Sequence, residues 1–235
     1  MSPTPEKNTR VLYGRRLGRP LRKAQRKRLA TLLPQLSIAS SARHEDPSGL
    51  FVPLVKTVWL EVGFGCGEHL AAQAKAHPEI GFIGCEPFIN GVARLVRTVE
   101  ISDIKNIRIH AADARQLIET LPDSSIERCF ILFPDPWPKR RHHRRRIVSP
   151  DTLAELARVI VDGGRLRLAS DHRGYVRWIL FHTLQQGAFE WCAKSSKDWL
   201  TRPSDWPTTR YEEKAAQRGE TSIYLEFNRR TRSDK

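Results

Sequence analysis

The sequence lacks any apolar run of the roughly 20 residues that a membrane-spanning helix needs. Its basic N-terminus also lacks the apolar core of a secretory signal, so we expect neither a membrane protein nor an exported one. The four cysteines, Cys66, Cys85, Cys129 and Cys192, form no CxxC pair. This spacing argues against a zinc site, another metal site or a disulfide framework, and it favours the reducing cytoplasm as the location.

Acidic residues are scarce relative to basic ones. The chain has 40 Lys and Arg against 26 Asp and Glu, for a net charge of +14. Residues 1–30 hold ten basic residues and one acid, and residues 139–146 hold six basic residues and no acid, so the rest of the chain is nearly neutral. Charge concentrated in two segments favours a nucleic acid as partner over a basic surface that only aids solubility.

A regular alternation of strand-like and helix-like segments begins at Thr57 and predicts an α/β fold. We expect residues 1–50 to form a basic arm and linker, with a short helix around 21–33, and residues 51–235 to form one domain. The alternation predicts a mostly parallel sheet with helices on both faces. The predicted strands are 57–63, 81–86, 107–112, 127–133, 165–170 and 222–227. The predicted helices lie near 67–77, 89–101, 114–120, 150–161 and 173–187, the fourth ending at Gly163-Gly164.

Three glycines follow the first predicted strand at alternate positions, Gly63, Gly65 and Gly67. Glycine lets a chain approach a ligand without a Cβ in the way, although a tight strand-to-helix turn would use the same residues. The dinucleotide fingerprint requires its third glycine where this chain has Glu68, and a carboxylate there opposes a pyrophosphate. The loop therefore resembles that of methyltransferases that use S-adenosylmethionine (SAM), and it disfavours NAD.

Five predicted strands each end near one carboxylate: Glu61, Glu86, Asp113, Asp135 and Asp171. Ligands bind at the carboxyl ends of parallel strands, so these acids are expected along one edge of the sheet. Carboxylates accept hydrogen bonds from the amino group, ribose hydroxyls and adenine amine of SAM, and they favour its sulfonium charge. Glu86 suits the ribose (as it would in NAD), Asp113 suits the adenine end, and Glu61 faces the cationic part.

The segment Phe133–Lys139 places three prolines at alternate positions directly after a predicted strand. Proline fixes φ and biases the preceding residue towards an extended conformation, so this loop is stiff. Stiffness of this kind holds a catalytic side chain in place, which makes Asp135 the candidate catalytic residue. Trp137 could stack on a base or pack against the protein. The basic run 139–146 shares this loop.

Four segments together resemble the tRNA (guanine-N7)-methyltransferase family: LEVGFGCG (60–67), LFPDPWPKRRHHRRRI (132–147), the strand-end Asp171, and TRYEEKAAQRGETSIYLEF (209–227). The resemblance covers about residues 57–227, and the proline loop and the TRYE segment are its most specific parts. It implies a Rossmann-like SAM-dependent methyltransferase fold for residues 51–235. It also implies methyl transfer from SAM to N7 of guanosine 46 in the tRNA variable loop.

The resemblance also assigns roles to individual residues. The implied cofactor contacts are Glu61, Gly63, Gly65, Gly67, Glu86, Asp113 and Asp135, with Asp135 also the catalytic position. The implied substrate contacts are Lys139, Asp171, Thr209, Arg210, Tyr211 and Glu212. From the charge pattern we further expect contacts with RNA phosphates from Arg140, Arg141, Arg144, Arg145 and Arg146. No metal and no obligate protein partner is expected.

The chemistry of guanine N7 fits this set of residues. N7 has a free lone pair and no proton, so its methylation requires alignment and tolerance of positive charge rather than a general base. We expect Asp135 to orient the guanine and to stabilise the developing charge. The alternatives are a Rossmann-like methyltransferase acting on another RNA, a small molecule or a protein, and a non-catalytic RNA-binding module.

Overall fold

A computed structural model describes residues 12–38, 46–207, 212 and 217–232. Its central feature is a seven-stranded sheet with the strand order β3-β2-β1-β4-β5-β7-β6. The strands β1 to β5 pair in parallel, and β7 runs antiparallel to both of its neighbours, β5 and β6. The strands are β1 (Thr57–Val62), β2 (Ile80–Cys85), β3 (Ile107–His110), β4 (Ile126–Leu132), β5 (Ile160–Ser170), β6 (Phe189–Trp191) and β7 (Ile223–Arg229). The mostly parallel sheet is confirmed.

Helices cover both faces of the sheet, as the alternation predicted. They are α1 (Lys23–Leu36), α2 (Glu68–Ala76), α3 (Ile89–Ile101), α4 (Ala114–Ile118), α5 (Pro150–Val159), α6 (Arg173–Gln185) and α7 (Ser196–Leu200), with 3-10 turns at Pro47–Leu50 and Arg140–Arg145. None of the helices in the described ranges is long and apolar enough to cross a membrane. Ser149 caps α5 by accepting the Thr152 N–H, and Pro150 occupies the first helical position.

Two apolar cores flank the sheet because its central strands are buried on both faces. One core lies around Leu60, Ile131, Leu166, Tyr175 and Phe227. The other lies on the opposite side and includes Phe82, Leu95, Ile107 and Phe130. This burial fixes the sheet, and with it the position of every loop at the carboxyl-terminal edge of β1 to β5.

The region between α5 and β5 differs from the prediction. The helix ends at Val159, not at the glycine pair, and β5 begins at Ile160. Gly163 (φ +75°) and Gly164 lie inside the irregular first half of β5, where the ladder with β4 shifts register. Glycine can therefore mark a strand irregularity as well as a helix end. The three-residue β6 was not predicted, since so short a strand carries no periodic pattern.

Part of the predicted N-terminal arm packs on the domain. Helix α1 extends to Leu36 and includes Pro34, which lies in the stretch expected to be linker. Four leucines of α1 pack against the second core: Leu29, Leu32, Leu33 and Leu36. The predicted helix in this region is thus confirmed, while the domain boundary near residue 50 stays a prediction.

Candidate active site

The loop between β1 and α2 depends on glycine at three positions. Gly63, Gly65 and Gly67 have φ values of +75°, +57° and +80°, a left-handed region that other residues rarely adopt. The Gly63 N–H donates to the Cys85 carbonyl over 2.8 Å, which ties the loop to the end of β2. The loop therefore exposes backbone rather than side chains at the carboxyl-terminal edge of the sheet.

The first turn of α3 contacts this loop closely. A Cβ on Gly91 would overlap the Gly65 carbonyl oxygen, so only glycine permits the approach. Sequence reasoning did not identify Gly91, although its one available signal was a glycine in the first turn of a predicted helix. The contact packs the start of α3 directly against the glycine loop.

A cleft of about 540 Å³ lies at this edge, within the range of small-ligand sites. Its wall combines loop backbone, three carboxylates and two cations that have no acid partner in the described parts of the chain. These residues are Gly63, Gly65, Glu86, Asp113, Asp135, Arg15 and Arg145. The structure thus brings five of the predicted cofactor contacts onto one surface.

Glu86 is buried and already holds the backbone around it. One carboxylate oxygen accepts the Gly65 N–H at 2.7 Å and the other accepts the Phe88 N–H at 2.9 Å. Burial raises the pKa of Glu86, the two backbone donors lower it, and the nearby charges of Asp135 and Glu61 raise it further. Each oxygen keeps a second lone pair, so the side chain can also accept from a ligand.

Asp113 lies on the cleft wall and also forms a helix cap and an ion pair. Its carboxylate accepts the Arg115 N–H at 3.0 Å and so caps α4. It also forms an ion pair with the Arg115 guanidinium at 2.5 Å, and Asp113 is only 6% exposed. This pairing explains how a carboxylate is kept buried at the end of β3.

Asp135 differs from the other acids. It is exposed on the cleft wall in the proline loop, between Phe133 (φ 49°) and Trp137 (φ 43°). Across the described ranges, no side chain or backbone N–H forms a hydrogen bond or ion pair with its carboxylate. A stiff loop therefore presents a carboxylate whose acceptor sites are available to a ligand.

Arg146 has a different place from the one its basic neighbours suggested. It is 4% exposed, its Nε donates to the Pro136 carbonyl at 2.8 Å, and its guanidinium lies over the rings of Tyr175 and Trp178. Burial lowers the pKa of this guanidinium. Arg146 therefore holds the proline loop from within, which corrects its prediction as a phosphate contact.

The other members of the basic run lie at or near the surface. Arg140, Arg141 and Arg144 are exposed on the 3-10 turn, as is the preceding Lys139. Arg145 is half-buried on the cleft wall, with its guanidinium carbon 4.8 Å from the ring centre of Tyr13 and 4.9 Å from that of Trp137. A run of similar residues thus divides into exposed, cleft-lining and buried positions.

Several predicted site residues lie off the cleft wall. Glu61 is buried with its Oε2 2.7 Å from His69 Nδ1, beneath the glycine loop. Asp171 pairs with Arg218 at 3.0 Å, and Glu212 accepts the Tyr224 hydroxyl at 2.5 Å. Among the predicted cofactor and substrate contacts with a described position, Gly67 and Lys139 also lie off the wall. Thr209, Arg210 and Tyr211 lie outside the described residues.

The comparisons with known proteins agree with this geometry. Residues 55–225 match a family described as "Putative methyltransferase". The chain is 49% identical to the tRNA (guanine-N(7)-)-methyltransferase of Rhodospirillum rubrum, with 97% of this chain and 92% of that protein covered. The protein of the same name from Agrobacterium fabrum is 47% identical, with 94% and 96% covered. The chain belongs to the tRNA (guanine-N7)-methyltransferase family. As a member, it is a methyltransferase.

Solved structures of low identity confirm the fold of this family member. The 16S rRNA methyltransferase KamB superposes with a TM-score of 0.54 at 15% identity, covering 83% of this chain and 99% of KamB. The cyclase SpnF superposes with a TM-score of 0.53 at 14% identity, covering 77% and 78%. Because a cyclase shares the fold, the fold does not decide the reaction. Within the described ranges, no group of three His, Cys, Asp or Glu side chains could hold a metal ion.

Proposed function

We propose that this protein transfers the methyl group of SAM to N7 of guanosine 46 in the tRNA variable loop. The observation that carries the proposal is the single cleft in which glycine-loop backbone, two structurally bonded carboxylates and one available carboxylate meet. The names of relatives that cover nearly the whole chain support the same reaction.

The residues of the cleft fit SAM as the methyl donor. When bound, SAM supplies an electrophilic methyl group on a positively charged sulfur. Glu86 would accept from the ribose hydroxyls through its remaining lone pairs, and Asp113 would face the adenine amine. The backbone of Gly63 and Gly65 would leave room for the amino-acid part of SAM. Glu61, held by His69, would support this loop and use its second oxygen for the cofactor.

The exposed cations beside the cleft suit the tRNA backbone. Lys139, Arg140, Arg141 and Arg144 follow the proline loop directly, so phosphates bound there would lie next to Asp135. Contacts of this type give affinity and orientation with little sequence information. In the proposal, Asp171 and the 209–212 segment complete the contacts to the target nucleotide.

Asp135 carries the chemical step in this proposal. Its free carboxylate would accept hydrogen bonds from guanine donor groups and fix the ring in line with the methyl group. Methylation of N7 removes no proton but creates a cationic purine, which a nearby carboxylate stabilises. The chain therefore supplies position and charge rather than a base.

A transfer assay tests the class of substrate. Purified protein is incubated with methyl-labelled SAM and one acceptor at a time: unmodified bulk tRNA, duplex DNA or denatured protein. We expect label in tRNA alone, with Asp135→Ala reducing it to near background. Label in protein, or transfer to tRNA that Asp135→Ala leaves unchanged, would contradict the proposal.

A further inference from the structure

Residues 12–19, here called the N-terminal strap, form part of the cleft. Leu12, Tyr13, Gly14 and Arg15 line its wall, on the side where Asp135 and Glu86 also lie. The sequence predicted only a basic arm in this region. The strap therefore forms part of the wall against which a cofactor would bind.

One end of the strap is held by the first turn of α3. Asn90 accepts the Gly18 N–H through Oδ1 and donates through Nδ2 to the Arg19 carbonyl, both at 2.8 Å. The Ile89 N–H donates to the Arg16 carbonyl at 3.1 Å. Because α3 begins only three residues after Glu86, the attachment lies beside the cleft. Asn90 binds both a donor and an acceptor of the strap, because its amide carries an acceptor oxygen and a donor nitrogen.

The other end of the strap is held by aromatic stacking. The Tyr13 ring lies under the Arg145 guanidinium, which also contacts Trp137 of the proline loop. The Arg145 Nε is buried and has no hydrogen-bond partner in the described part of the protein. The guanidinium is therefore held there by its contacts with the two aromatic rings. The strap thus links α3 to the loop that carries Asp135.

Between these two ends the strap buries little surface. Gly14 to Arg19 are exposed, and Leu17 is 75% exposed. A segment with few apolar contacts detaches at low free-energy cost, so its hydrogen bonds to Ile89 and Asn90 and the Tyr13 stack determine whether it stays in place. These two contacts are separable by mutation.

We propose that the N-terminal strap closes the cleft over the methyl donor and detaches from Asn90 each time the cofactor exchanges. This inference rests on the proposed function, because it takes SAM as the occupant. Asn90 and Tyr13 are positioning residues in this scheme. They hold the strap without reacting with the substrate, and they set how long the cofactor stays bound.

A chase experiment measures that residence time. Labelled SAM bound to the full-length protein is chased with unlabelled SAM. Loss of two hydrogen bonds in Asn90→Ala should raise the dissociation rate about ten-fold, and Tyr13→Ala should raise it in the same direction, whereas Tyr13→Phe retains the stack. Arg97→Ala, an exposed change further along α3, is the matched control and should dissociate at the wild-type rate. Wild-type rates in both Asn90→Ala and Tyr13→Ala would overturn the proposal.

Limited trypsin digestion separates failure of the strap from failure of the proposed function. Cleavage after Arg15 and Arg16 is followed by mass spectrometry with and without SAM. We expect SAM to slow these cuts in the wild type and Asn90→Ala to speed them in either condition. If SAM does not bind, the proposed function fails. The cleavage rates of wild type and Asn90→Ala without SAM still test whether Asn90 holds the strap. Equal cleavage rates in wild type and Asn90→Ala would overturn the proposal that Asn90 holds the strap.

Discussion

The carboxylates around the cleft share a charge but differ in what they already bind. Glu86 holds two backbone N–H groups and Asp113 holds Arg115, so both shape the cleft as well as lining it. Asp135 lacks such partners among the described residues, and its loop restricts its motion. The acid proposed to act on the substrate therefore differs from the others in its lack of existing hydrogen bonds and ion pairs, not in residue type.

Replacing Asp135 should separate chemistry from cofactor binding. Asp135→Asn and Asp135→Ala remove the charge that would stabilise the methylated purine, so single-turnover rates should fall by about 10²- to 10³-fold. Calorimetry should give SAM dissociation constants within about three-fold of wild type, since Glu86 and Asp113 remain. Unchanged single-turnover rates in both variants would show that Asp135 is not the reacting position.

The raised pKa of Glu86 predicts acid sensitivity of cofactor binding. The ionised form is the better acceptor for ribose hydroxyls, and its protonation begins at a higher pH than for an ordinary glutamate. SAM affinity should therefore fall as pH is lowered through this raised pKa. Its effect on stability has the opposite sign: the contribution is present at low pH and lost as pH rises through the folded-state pKa.

Calorimetric titrations with SAM across the acidic and neutral range check this dependence. Glu86→Gln should bind SAM weakly with a flatter pH profile, because the titrating group is gone. Glu79→Gln, a change at an exposed site away from the cleft, should keep the wild-type profile. A wild-type profile in Glu86→Gln would assign the titration to another group.

Gly91 offers a test of the packing beneath the glycine loop. Gly91→Ala forces its Cβ against the Gly65 carbonyl, so it should destabilise folding by about 1–3 kcal/mol and weaken SAM binding. Gly49→Ala is the control, since a Cβ there meets no atom within 4 Å. Urea unfolding and SAM titration measure both effects. Equal stability of the two variants would contradict the close approach.

At the scale of elements, the proline loop depends on its basic tail for support. Arg146 follows the 3-10 turn, is buried against α6 and donates to the Pro136 carbonyl next to Asp135. The exposed residues of the same turn have no such role. One short element thus supplies both internal support for the loop and an outward cationic surface.

Two single substitutions should separate these roles. Arg146→Lys loses the planar guanidinium that stacks on Trp178 and should lower kcat while the salt dependence of tRNA binding stays unchanged. Arg144→Ala should reduce the salt slope by about 0.7–0.9 per lost phosphate contact and leave kcat near wild type. Filter-binding at several salt concentrations, with steady-state kinetics, measures both. Identical behaviour of the two variants would mean that burial does not decide their roles.

The sequence predicted most elements because strand and helix patterns are local. The predicted end of α5 was wrong because Gly163 belongs to an irregular strand. The strand β6 was missed because it is too short to carry a pattern. The roles of Arg145 and Arg146 could not be read from a run of like residues, since burial depends on where the 3-10 turn packs. The contribution of Tyr13 to the cleft depends on the tertiary position of the strap.

At the scale of the whole molecule, the cleft carries charges of both signs and has a purely basic surface beside it. Glu86, Asp113 and Asp135 line the cleft together with Arg15, Arg115 and Arg145, whereas the exposed arginines of the 3-10 turn have no acid among them. The carboxylates of the wall can accept hydrogen bonds from the methyl donor, and the basic margin attracts the phosphates of RNA. The strap belongs to both regions, because it lines the cleft and carries exposed Arg15 and Arg16.

The position of the transferred methyl group tests the central claim most directly. Two unmodified tRNA transcripts, one with guanosine and one with adenosine at position 46, are incubated with the protein and SAM, digested to nucleosides and analysed by mass spectrometry. We predict 7-methylguanosine from the first transcript and none from the second. A methyl group on any other atom, or equal 7-methylguanosine from both transcripts, would contradict the account.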